Sequence, residues 1–94
     1  MSARVLSRIQ TAVRRGQYDL TYHAVEEMAE DDLGVADVET AILDGQITRT
    51  EADDPRGPKY TLIGPSGAGE SQVGVVGRFK ETGIFLVITV YEVD

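Results

Sequence analysis

The spacing of apolar residues changes once along the chain, near Gln46. Before it, apolar positions recur at helical spacing; after it, they recur at every second residue. Val5, Ile9, Ala12 and Val13 fall at i, i+4, i+7 and i+8, one stripe of an amphipathic helix over roughly residues 3–15. Ser2 is placed to cap its start and Gly16 to follow its end, and Arg14 and Arg15 suit the negative end of its dipole. Thr21 is the next N-cap, with Leu20 and Val25 spaced as a hydrophobic staple. The helix it opens runs from about Tyr22 to Asp31. At about 100° per residue, Tyr22, Val25, Met28 and Ala29 form its buried arc, and His23, Glu26, Glu27 and Glu30 the opposite one. Gly34 breaks the chain. A third helix covers about Asp37 to Leu43, with Val38, Ala41 and Ile42 inward and Gly45 as its stop. Ala36 stands at its cap position and Glu39 at the matching N3 place of a capping box.

Beyond Gln46, Ile47–Glu51 and Lys59–Ile63 read as strands, separated by the breaker-rich Asp53-Asp54-Pro55-Arg56-Gly57-Pro58. Gln72 to Val93 reads as a hairpin that turns at Lys80-Glu81-Thr82-Gly83, where Gly83 supplies a positive φ. Its second arm, Ile84 to Tyr91, is apolar on both faces: Ile84, Leu86, Ile88 and Val90 point one way, Phe85 and Val87 the other. Such a strand belongs inside a sheet, covered on both sides. The pattern predicts a single α+β domain over residues 1–94: three N-terminal helices followed by a four-stranded antiparallel sheet, with the helices on one face.

Composition narrows the function classes. The chain has 94 residues, no cysteine and a formal charge of −7. Disulfides and thiolate metal sites are excluded, and the redox compartment stays open. No apolar run approaches the roughly 20 residues of a membrane-spanning helix, so no membrane is expected. The absence of a signal peptide points to the cytoplasm. The acidity argues against non-specific nucleic-acid binding, which needs a cationic surface. Charge is also uneven: Arg4, Arg8, Arg14 and Arg15 precede a strongly acidic Glu26 to Asp54. A basic helix beside an acidic body reads either as a partner surface or as a solvated face.

Gly64-Pro65-Ser66-Gly67-Ala68-Gly69-Glu70-Ser71 matches a phosphate-binding loop except at its lysine, where Glu70 stands. A β-rich run follows in place of the helix whose N-terminus would hold phosphate. No nucleotide and no other cofactor is expected. His23 is the only histidine and is suited in type to general acid–base work. With Glu26, Glu27 or Glu30 it makes only a weak metal-ligand set, and no metal is expected. Arg78, Lys80 and Tyr91 on the terminal hairpin, with Arg49 and Tyr60 on earlier strands, are groups that could hold a phosphodiester on a sheet face. Taken singly, each also reads as solvent-facing decoration.

Tyr18-Asp19-Leu20-Thr21-Tyr22-His23-Ala24 followed by Met28, Gly34-Val35 with Asp37-Val38, Ala41-Ile42 with Gly45-Gln46-Ile47, and Ile88-Thr89-Val90-Tyr91 are the marks of a further resemblance. Over roughly Val5 to Tyr91 the chain resembles the small bacterial domain of unknown function 4258. Domains of this kind look like relatives of the RelE, BrnT and MqsR toxins, which are mostly ribonucleases that stall translation and are silenced by an antitoxin. The resemblance implies a RelE-like fold and a metal-independent endoribonuclease. His23 would be its general acid or base, and Arg78 and Tyr91 its phosphate-binding or supporting groups. RNA and an antitoxin protein are the implied partners. Two features depart from the pattern. Glu26, Glu27, Glu30, Asp31 and Asp32 occupy a region where such domains usually carry arginines, and Ala36 replaces the usual Ser or Thr. Carboxylates repel phosphate, which sets against the ribonuclease a second reading: a non-catalytic protein-interaction module of the same fold.

Overall fold

A computed structural model describes residues Ser2 to Val93. Three helices, α1 (Ser2–Arg14), α2 (Tyr22–Glu30) and α3 (Val35–Leu43), accompany five strands: β1 (Tyr18–Leu20), β2 (Gln46–Glu51), β3 (Lys59–Pro65), β4 (Gln72–Phe79) and β5 (Phe85–Val93). The sheet order is β1-β5-β4-β3-β2. β2 to β5 form the expected antiparallel meander. The expected four-stranded antiparallel sheet is corrected by β1, which adds a fifth strand parallel to β5, with Tyr18 opposite Phe85 and Leu20 opposite Val87. Three residues are too few to show an alternating pattern, and the partner strand lies more than sixty residues away.

β5 does lie inside the sheet, between β1 and β4, but its faces are not the ones simple alternation implies. Val87 is opposite Gly77 and Thr89 opposite Val76, so Ile88 is an extra residue. This β-bulge shifts the alternation by one. Phe85, Val87 and Val90 therefore all reach the core, and Val90 does not share a face with Leu86. They meet Leu62, Val73 and Val75 from the sheet and Ile9, Ala12, Val13, Ala24, Met28, Val38, Ala41 and Ile42 from the helices. Helices cover one face only. The other, outer face carries Ile63, Val76, Arg78, Leu86, Thr89 and Tyr91, all half-buried.

Helix ends follow local chemistry. α1 begins at Ser2, whose side chain, the expected cap, lies outside the described residues. Its far end closes as a Schellman motif, in which Gly16 N–H donates to the Val13 carbonyl and Gln17 N–H to that of Ala12. Thr21 caps α2 as expected, its Oγ1 accepting from Ala24 N–H at 3.0 Å. The buried arc of α2 is rotated from the expected one. Ala24 and Met28 are buried, whereas Tyr22 is 81% exposed and Val25 46%; Leu20 packs on the core without its staple partner in it. α3 starts earlier than expected. Its N-cap is Gly34, and Asp37 supplies the N3 carboxylate, accepting from Gly34 N–H at 2.8 Å. Ala36 therefore lies inside the helix and Glu39 plays no part in the cap. The same carboxylate also accepts from Gly67 N–H at 2.7 Å, tying the start of α3 to the β3–β4 loop.

Candidate functional site

α2 is held along β5 by polar contacts that continue where β1 stops. Thr21 N–H donates to the Val87 carbonyl and its hydroxyl to that of Ile88. Nearly two turns later Glu27 Oε1 accepts from Val90 N–H at 3.1 Å, and one turn further Asp31 Oδ2 accepts from Glu92 N–H at 3.1 Å. Beyond Leu20, β5 has no neighbouring strand on this side, and unpaired backbone donors at an edge invite foreign pairing. The two carboxylates, spaced i and i+4 on one helix face, take the place of a strand.

His23 stands on this helix with its side chain 64% exposed. Its Nε2 lies 3.3 Å from Glu27 Oε1, the oxygen that also holds Val90. Glu26, Glu27, Ala29 and Glu30 complete a shallow groove around it, and no cation lines that groove. Arg78 and Tyr91 lie on the outer face of the sheet. Arg78 is opposite Leu86 on β5 and has no carboxylate within ion-pair distance among the described residues. The Tyr91 ring lies across Gly74: a Cβ added there would sit 2.2 Å from the ring. That close approach requires glycine and gives Tyr91 a packing role on its own strand pair. Gly74 and Arg78 are four residues apart on β4, about 13 Å along a strand. The structure thus brings Arg78 and Tyr91 to one face but not to one point, and no hydrogen bond or ion pair joins either to His23 among the described residues.

The other residues considered for phosphate contact are already engaged or dispersed. Lys80 pairs with Asp19 at 3.2 Å, and Arg49 with Glu51 at 3.9 Å. Tyr60 packs against the core. Among the described residues no cluster of three or more His, Asp or Glu is placed to hold a metal ion. The loop resembling a phosphate cradle joins β3 to β4 and leads into a strand, so it opens no helix, and the α3 N-terminus beside it already offers the Asp37 carboxylate to Gly67 N–H. Among the described residues no helix is long and apolar enough to cross a membrane.

One polar pair between distant elements was not legible in the sequence. Tyr18 O–H donates to Glu39 Oε2 at 2.5 Å, linking β1 to α3 across twenty-one positions. Burial, and then the neighbouring Glu39 carboxylate, push the Tyr18 phenol up to about 12. A folded-state pKa raised above the unfolded value near 10 stabilises the fold below about pH 10, and that stability is lost as pH rises toward 12. In denaturant titrations across this window, Tyr18→Phe should flatten the alkaline loss of stability. An unchanged slope would show that another group drives it.

Geometry defines the class first: a small α+β domain whose helices cover one face of a mixed five-stranded sheet, with an acidic helix along the sheet's edge. The chain belongs to the DUF4258 family, the domain of unknown function whose model matches residues 20–92. α1 and the first two residues of β1 precede that match. No curated protein and no solved structure matches the chain.

Proposed function

We propose that this domain is a non-catalytic protein-interaction module. The observation that carries the reading is the setting of His23. The only imidazole stands on an acidic helix face, and its one polar partner, Glu27, is committed to holding β5. A phosphodiester brought to His23 would meet Glu26, Glu27 and Glu30 without a cation to offset them. The acidic residues that replace arginines here have structural work in two cases, Glu27 and Asp31, and none of them favours RNA.

A second reading, the toxin-like endoribonuclease kin to RelE, BrnT and MqsR, draws support from one feature: Arg78 has no ion-pair partner among the described residues and lies on the open sheet face that also bears Tyr91. On that reading His23, Arg78 and Tyr91 act together on RNA, and an antitoxin covers them. Expression in bacteria separates the two. The interaction module leaves growth unaffected for both the wild type and His23→Ala. Growth arrest by the wild type that His23→Ala relieves, with the variant still folded, would support the toxin instead.

A further inference from the structure

Tyr22, Val25 and Ala29 fall at i, i+3 and i+7 of α2 and share one face of it. All three are exposed, Tyr22 at 81% and Val25 at 46%. Single exposed apolar residues are ordinary, but an aligned aromatic and aliphatic stripe on a helix that already buries a different face is a contact surface without an occupant. Tyrosine is also among the residue types that carry binding energy at interfaces.

The charge beside the stripe says what the occupant is. Between Tyr22 and Gly34 there are five carboxylates and no lysine or arginine. The last turn of α2 holds no basic residue, so Glu27, Glu30, Asp31 and Asp32 crowd the negative end of the helix dipole, where they are disfavoured. Glu27 and Asp31 are offset by the backbone donors of β5. Glu26, Glu30 and Asp32 have no cation within ion-pair distance among the described residues. An apolar stripe bordered by uncompensated carboxylates complements a helix with apolar residues on one face and lysines or arginines beside them. The chain's own basic helix does not meet this description in a second copy: Ile9, Ala12 and Val13 of α1 are already buried, and Arg8 stacks on Phe79 at 4.4 Å.

We infer that the exposed face of α2, from Tyr22 to Glu30 with Asp32 in the turn beyond it, docks a basic amphipathic helix of another protein. This inference rests on the interaction-module reading and gives it a surface and a partner class. The test uses two synthetic amphipathic helical peptides, one of leucines and lysines and one with glutamates in place of the lysines, titrated into the isotope-labelled full chain. The lysine peptide should shift backbone resonances at Tyr22, Val25 and Ala29, with weaker binding as salt rises. Tyr22→Ala should weaken that binding about tenfold or more while leaving the thermal midpoint in place. Replacing both acidic neighbours, Glu26→Lys with Glu30→Lys, should transfer preference to the glutamate peptide. Equal binding of both peptides by the wild type would overturn the inference, as would shifts confined to the sheet face around Arg78 and Tyr91. Those results leave the module reading standing, whereas His23-dependent cleavage of RNA would remove that reading itself.

Discussion

Gly64→Ala should cost about 3 kcal/mol or more, enough to unfold much of a domain this small. Just past the end of α3, β3 passes at Gly64 directly against the Ala41 carbonyl of the helix and the Gly45 backbone that follows it. A Cβ at Gly64 would lie 2.2 Å from the Ala41 carbonyl oxygen and 2.8 Å from the Gly45 Cα. One at Gly45 would lie 2.1 Å from the same oxygen and 2.6 Å from that of Ile63. All of these are main-chain atoms, so no side chain can rotate aside. Relief requires α3 to lift from the sheet, and that exposes Val38, Ala41 and Ile42, which are fully buried. Chemical denaturation of the variant is the check; a midpoint near that of the wild type would mean the contact is looser than the structure shows.

Glu27→Ala should destabilise by about 1.5–3 kcal/mol, the range for a hydrogen bond to a charged group whose loss strands a partly buried donor. Removing Glu27 leaves Val90 N–H unpaired at the point where β5 has lost its neighbouring strand. Glu26→Ala and Glu30→Ala should stay within about 0.5 kcal/mol, since neither side chain holds the fold together. His23→Ala should behave likewise, because its contact with Glu27 is an exposed i, i+4 pair. The contrast among four adjacent positions matters more than any single value. Equal effects at Glu26 and Glu27 would remove the edge-holding role.

Where contacts are local, the sequence is a sufficient guide. The period-two strands, the hairpin turn with Gly83 at positive φ and the Thr21 cap are all found in the structure. It fails where distant segments decide. β1 exists because β5 offers it a partner, and Tyr18–Leu20 carries no pattern of its own. Helical projection placed Tyr22 and Val25 inward because they are apolar. The real orientation of α2 is set by Ala24 and Met28 against the core and by Glu27 and Asp31 along β5, so two charged residues outweigh two apolar ones. α3 starts at Val35 rather than near Asp37 because Asp37 serves as the N3 carboxylate of a Gly34 cap, and its second bond, to Gly67 in the β3–β4 loop thirty positions away, could not be read from the chain. For the candidate site, residue type offered His23, Arg49, Tyr60, Arg78, Lys80 and Tyr91 and the family resemblance implied His23, Arg78 and Tyr91 among them, but spacing along the chain says nothing of their separation in space. Tyr91 illustrates the limit: its place over Gly74 depends on cross-strand register, which a bulge at Ile88 resets.

The central claim is that the acidic face of α2 serves the sheet edge and a protein partner rather than RNA. Incubation of the purified full chain with a mixed-sequence RNA, without added metal, tests it most directly. The account predicts that the RNA stays intact with the wild type and with His23→Ala alike. Cleavage by the wild type that is lost in a folded His23→Ala would contradict it.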